Sequence, residues 1–168
     1  MSARNVEIKA RVIDLAAIEA RARAIATALP VDLVQDDTFF ACAHGKLKLR
    51  RFGDGRGELI YYLRADDAGP KVSEYLISPT TAPDALHESL SRAIGVVGRV
   101  RKRRRLYLVD RTRIHLDEVE GLGTFVELEV VLREGEPEES GRAVAAEIME
   151  RLGIAEPQLI REAYVDLQ

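Results

Sequence analysis

Cysteine is almost absent from this 168-residue chain: Cys42 stands alone. One thiol excludes an internal disulfide framework and a zinc site built from several cysteines, and it suits a reducing compartment. Tryptophan is missing altogether and aromatic residues make up only 5%, too few for the row of stacking platforms that a single-stranded nucleic-acid binder uses. No apolar run reaches signal-peptide or membrane-spanning length, so the expectation is a cytoplasmic chain with no membrane partner. Net charge is lacking too. The 28 acidic and 25 basic residues nearly cancel, to −3, and the total gives no reason to expect nucleic acid or an anionic surface as partner.

What the chain has in quantity is charge, 32% of residues, beside an apolar share of 46%. This is the composition of a soluble globular domain, long enough to bury one core. Residues 6–12 alternate Glu7, Lys9 and Arg11 with apolar neighbours, the period of a strand. Asp14 is an N-cap for a helix that carries Leu15, Ile18, Ala22, Ile25 and Leu29 on one stripe and closes at Pro30. Period two returns with glycine-rich breaks and predicts strands over 37–42, 46–52, 58–64 and 72–77. A second helix covers 84–94. Three more strands cover 97–110, 113–119 and 123–133, and a third helix covers 138–152, stopping before Gly153. Eight strands in short hairpins with three helices predict an α+β fold whose antiparallel sheet closes into a barrel, leaving no exposed edge.

On a strand, residues two apart point to the same side, so each alternating charged series marks a face. Glu7 shares one with Lys9; Lys46, Lys48 and Arg50 share another; Lys102 goes with Arg104, Arg113 with His115 and Asp117, and Glu127 with Glu129. A solvated sheet face explains any one series. The segregation is harder to explain that way, because a surface built for solubility mixes signs. Bases on some strands and carboxylates on others point to a polyanion held with a metal ion. Lysines and arginines on rigid strands meet the charge of a triphosphate. Carboxylates alone would repel it, and they serve instead as oxygen ligands for Mg²⁺ or Mn²⁺. The basic run at 99–105 also fits a phosphate backbone, but a strand turns only alternate side chains to one ligand, so Arg101, Arg103 and Arg105 are expected to face solvent. Cys42 is read as a buried or inert thiol, since no histidine and carboxylate pattern accompanies it. His44 and His87 receive the same bland reading.

At these residues the sequence resembles the CYTH superfamily, the triphosphate tunnel metalloenzymes, and most of all the branch that contains class IV adenylyl cyclases. The family's N-terminal Glu-x-Glu-x-Lys is matched by Asn5-Val-Glu7-Ile-Lys9, with asparagine in the first position. Lys48-Leu-Arg50, Arg64 after Tyr61-Tyr62-Leu63, Lys102-Arg-Arg104 with Tyr107, Arg113-Ile-His-Leu-Asp117 and Glu127-Leu-Glu129 follow in the family's order. The resemblance implies one domain over 1–168, an eight-stranded barrel forming a tunnel, and phosphate bound by Lys48, Arg50, Arg64, Lys102, Arg104 and Arg113. It further implies metal held, directly or through water, by Glu7, Asp117, Glu127 and Glu129. Lys9 and Glu7 are the catalytic pair it implies, Lys9 as a phosphate ligand or an aid to the attacking water. The amide oxygen of Asn5 can still coordinate a cation but lacks the charge of glutamate. Three readings follow: hydrolysis of the terminal phosphate of an inorganic or organic triphosphate, cyclisation of ATP to cyclic AMP and pyrophosphate, and non-catalytic binding of polyphosphate or a nucleotide. Cyclisation demands a base pocket, for which Phe39, Phe40 and Tyr75 are candidates. The expected partner is a triphosphate small molecule rather than nucleic acid, and the outer faces leave room for a homodimer.

Overall fold

Alternation of apolar and charged residues gives strands that can bury one face against helices and turn the other inward on a charged cavity. The computed structural model, which describes residues 2–168, is built this way. Eight strands, β1 (Ala3–Arg11), β2 (Val31–Phe40), β3 (Lys46–Phe52), β4 (Gly57–Arg64), β5 (Lys71–Thr80), β6 (Val96–Val109), β7 (Thr112–Val119) and β8 (Gly123–Val131), are joined by three helices. Neighbours pair antiparallel in the closed order β1-β5-β4-β3-β2-β6-β7-β8, and β8 pairs back onto β1. The sheet therefore has no free edge.

The main core lies outside the barrel. Ile8, Ala10, Ile114, Leu116, Val126 and Leu128 project outward from β1, β7 and β8 onto Ile18 and Ala22 of α1 (Leu15–Ile25) and Ile148 and Leu152 of α3 (Glu138–Leu152). Burial of each of the larger side chains stabilises the fold by roughly 1.5–3 kcal/mol. Tyr107, also on the outer face, donates its hydroxyl to Glu19 of α1 at 2.8 Å. Gly141 lets α3 approach the sheet closely, because a Cβ there would stand 2.6 Å from Leu132 Cδ2 and 2.7 Å from Val6 Cγ2. A second apolar cluster, Phe39, Val100, Val119 and Phe125 with Tyr164, fills one end of the barrel from within. α2 (Pro83–Ile94) packs on β2 and β3.

The elements expected from periodicity are present, with β1 starting three residues earlier, at Ala3, β5 running three residues further, to Thr80, and two larger shifts. α1 stops at Ile25 rather than running to Leu29, which is 89% exposed. The backbone turns extended at Ala26, and Thr27 ties the segment to Leu108 at the end of β6 through its N–H and hydroxyl. β2 begins at Val31, six residues before the expected start, because 31–36 pair with 101–106 of the long β6. Its outward acids Asp32 and Asp36 accept from Arg105 and Arg99, at 2.6 Å and 2.8 Å for the shortest contact with Nε. Cys42 lies past the end of β2 and is exposed rather than buried, its thiol donating to the His44 carbonyl at 2.9 Å. Among the described residues no helix is long and apolar enough to cross a membrane.

Candidate active site

Inside the barrel lies a cavity of about 680 Å³ reached by side chains from all eight strands. A larger groove, about 1360 Å³, runs over the outside of β2 and β6. Three of its four arginines are already paired there, Arg51 and Arg99 with Asp36 and Arg101 with Glu120, whereas the smaller, inner space gathers buried charges of both signs. Glu7, Lys9, Lys48, Arg50, Arg64, Lys102, Arg104, Arg113, Glu127 and Glu129 all line this one cavity. Arg101 and Arg103 point the other way and are exposed, and Arg105 lies on the same outer face, paired with Asp32 and Glu19.

The cationic wall is organised by a residue that sequence reasoning missed. Asp37 of β2 is completely buried and accepts from Lys48 Nζ at 2.9 Å, from Arg50 Nε and Nη2 at 2.8 Å each, and from Lys102 Nζ at 3.2 Å. Burial alone would raise this carboxyl, but the three cations hold it well below the usual carboxylate range. One carboxylate cannot neutralise three cations, so the cluster keeps a surplus of positive charge. Lys102 shows the strain: burial, helped by Arg50, Arg104 and Lys48, pushes its ammonium down to about 7 against the pull of Asp37. The available signal was Asp37 itself, in phase with Gln35 and Phe39, hidden by reading the Asp36-Asp37 pair as a strand boundary.

The acidic wall is diametrically opposite in the barrel order, on β1 and β8. The register sets Glu7 directly across from Glu129 and Lys9 across from Glu127, while His115 and Arg113 of β7 flank Glu127 and Glu129 on the far side. Like charges facing each other across a ladder destabilise it unless something cationic stands between them. Glu7 is raised by burial and by Glu127, although Arg64 Nη1 donates to it at 3.1 Å. Glu127 resists the upward push of burial because Lys9 and Arg104 draw it well down. Lys9 is lowered by burial. Its ammonium donates to the Glu162 carbonyl at 3.2 Å and stands 4.0 Å over the Tyr164 ring.

Two expectations need adjusting. Asp117, expected among the metal ligands, does not line the cavity. It gives both oxygens to Arg104 at 2.7 Å and accepts the Tyr164 hydroxyl at 2.7 Å, so it fixes Arg104 rather than standing free for an ion. Of the aromatic candidates, Phe39 and Tyr75 line the cavity, whereas Phe40 sits edge-on to His87 at 6.0 Å. The tail also contributes more than expected. Residues 159–164 cross one mouth of the barrel, where the Arg161 carbonyl accepts from Arg64 at 3.0 Å and from the buried Lys71 at 2.7 Å.

The residues also suit a divalent cation. His115, Glu127 and Glu129 each offer a donor atom within 4.8 Å of the others. His115 Nδ1 is buried with no hydrogen-bond partner in the protein, as is Asn5 Oδ1 on the cavity lining of β1, and buried polar atoms seldom go unpartnered.

A closed barrel with a charged interior, basic on one wall and acidic on the other, defines the triphosphate tunnel class of fold. The chain belongs to the CYTH domain family, which matches residues 3–164. Its fold is similar to that of PH1012 from Pyrococcus horikoshii OT3, at 24% identity and a TM-score of 0.86, covering 97% of this chain and 98% of that one. It is similar to a candidate adenylate cyclase of Vibrio parahaemolyticus, at 17% identity and 0.75, covering 97% and 96%. It is also similar to HpAC1 of Hippeastrum, a candidate adenylyl cyclase described as having a dominant triphosphatase activity, at 16% and 0.66, covering 98% and 93%. No curated protein matches the sequence.

Proposed function

We propose that this protein is a divalent-metal-dependent triphosphatase that releases the terminal phosphate of an inorganic or organic triphosphate bound in the tunnel. The observation that carries the reading is the Lys48, Arg50 and Lys102 cluster facing Glu7, Glu127 and Glu129 across one enclosed cavity. The cationic wall grips phosphate oxygens, with Arg50 held for a forked contact by Asp37. Water attacks the terminal phosphorus and the bond to the bridging oxygen breaks, giving orthophosphate and a diphosphate leaving group. Glu7, raised by burial and by Glu127, is suited to take the proton that the water loses. Lys9 and Arg64, at the same end of the cavity, hold charge that develops on the transferred group. A bound divalent cation supplies neutralisation of phosphate oxygens and activation of water, with Glu127 and Glu129 as its holders. HpAC1, of the same fold and described as a triphosphatase, supports this choice over cyclisation.

The test is turnover of tripolyphosphate, ATP and thiamine triphosphate with Mg²⁺ or Mn²⁺, followed by assay of phosphate, pyrophosphate and cyclic AMP. Phosphate without cyclic AMP is the expected result. Cyclic AMP with pyrophosphate would replace the proposal with cyclisation, and tight binding without product would leave a polyphosphate binder. Glu129→Gln should remove metal-dependent turnover while preserving the circular dichroism spectrum and melting curve.

A further inference from the structure

The proposed hydrolysis makes no use of His115, although this ring sits among the tunnel's acids. It stands on β7 as the direct partner of Glu127 on β8. The residue is 5% exposed, and Nδ1 has no hydrogen-bond partner in the protein. That nitrogen lies 4.0 Å from Glu129 Oε1. The other oxygen of Glu129 faces Arg113 at 3.6 Å, and Glu127 gives its Oε2 to Arg104 at 3.3 Å. Each carboxylate thus has one oxygen steadied by an arginine and a second left for something else.

A hydrogen bond does not explain this arrangement, because 4.0 Å is too long for one. A buried imidazole nitrogen without a partner has a lone pair to offer a cation when the ring's proton sits on the other nitrogen. Donors on opposite sides of an ion with bonds of about 2.1 Å stand about 4.2 Å apart. The three donor atoms lie within 4.8 Å of one another, so small rotations of the glutamate side chains bring them into one shell. An imidazole donor makes the site selective, because nitrogen ligation favours first-row transition ions over Mg²⁺.

We propose that His115, Glu127 and Glu129 form a metal centre in which direct imidazole ligation makes the tunnel select a first-row transition dication over Mg²⁺, with Mn²⁺ as the probe. The inference deepens the triphosphatase reading, since the ion it selects is the one that reading requires. The test uses metal-free full-length protein, titrated calorimetrically with Mn²⁺ and with Mg²⁺, and pulsed electron paramagnetic resonance of the Mn²⁺ form. Mn²⁺ should bind at least about tenfold more tightly than Mg²⁺, and the Mn²⁺ signal should carry the modulation of a directly bound imidazole nitrogen. Labelling histidine with ¹⁵N should change that modulation. The label is specific in practice, because His44 and His87, the other two histidines, lie off the tunnel. His115→Gln should lose the modulation and about tenfold or more in Mn²⁺ affinity, with Mg²⁺ affinity changed by less than about twofold. If that variant does not fold, the labelled wild type decides alone. Mn²⁺ bound without histidine coupling, no Mn²⁺ binding up to millimolar concentrations, or an unchanged preference in folded His115→Gln would each overturn the proposal. Turnover of tripolyphosphate is measured separately: histidine-coupled Mn²⁺ without turnover keeps the metal centre and removes the hydrolase, and turnover without coupling does the reverse.

Discussion

Asp37 holds three cations together in a space that water hardly reaches, and its removal separates two effects that usually travel together. Asp37→Asn leaves Lys48, Arg50 and Lys102 repelling one another, and breaking a buried ion pair in this way costs about 3–5 kcal/mol. A polyphosphate brings its own negative charge to the same cations. The stabilisation conferred by tripolyphosphate should therefore be larger in Asp37→Asn than in the parent, as urea melts with and without ligand will measure. Lys102 gives a pH signature. Its folded value of about 7 lies below the ordinary lysine value of 10.5. Below pH 7 the side chain is charged in both states and the fold carries the whole penalty of burying it. Between 7 and 10.5 the unfolded chain binds more protons, so stability rises with pH. Lys102→Met should flatten that rise in denaturation curves recorded across this window. Bound triphosphate raises the lysine again, so binding at pH 8 should take up a proton, seen as a dependence of calorimetric heat on buffer ionisation, and Lys102→Met should abolish the uptake. The cations of this cluster were legible from alternation alone. Asp37 was not, because a buried acid among bases has the same period as an exposed one.

At the scale of the element, each strand near α1 and α3 keeps stability on one side and chemistry on the other. Ile114 and Leu116 of β7 pack outward while Arg113 and His115 turn into the tunnel. Leu152 at the end of α3 belongs wholly to the outer side and is fully buried. Leu152→Ala should cost about 2–5 kcal/mol in urea denaturation while leaving the affinity for tripolyphosphate unchanged in the folded protein. Arg50→Ala should do the opposite where function is concerned, giving the greatest loss of triphosphate affinity among the tunnel cations, as competition titrations will show. The same division explains which elements were readable. Alternation identified the strands with a helix on one face, and 3.6-residue spacing identified all three helices. The first half of β2 was missed because Val31 and Val34, on opposite faces of the strand, are both exposed and arginines of β6 cover its acids, so no apolar period survives there. Leu29 misled for the complementary reason: it continues the stripe of α1 but has nothing to pack against.

At the scale of the whole molecule, closure creates the site. Hairpin count pointed to a barrel, but the opposition of β2 and β3 to β1 and β8 follows from the strand order, which no local pattern encodes. That opposition also reverses the electrostatics expected from the total. The chain carries a formal net charge of −3, and by that measure a polyanion should be repelled. The residues lining the tunnel include nine lysines and arginines against six aspartates and glutamates, so the interior is positive within a negative molecule, and low-dielectric walls concentrate its field. A ligand that answers this interior must be anionic and long enough to reach from the Asp37 cluster toward the acidic wall. At a concentration 100 times its dissociation constant, such a ligand stabilises the fold by about 2.7 kcal/mol, which for a chain of this size raises the melting temperature by roughly 5–11 °C. Tripolyphosphate should give a shift of that order in differential scanning fluorimetry. Orthophosphate, which spans one cluster only, should give much less, and chloride at matched ionic strength should give almost none. A shift that tracked ionic strength whatever the anion would mean that the tunnel's charges act as a diffuse field, and the shaped triphosphate site would have to be abandoned.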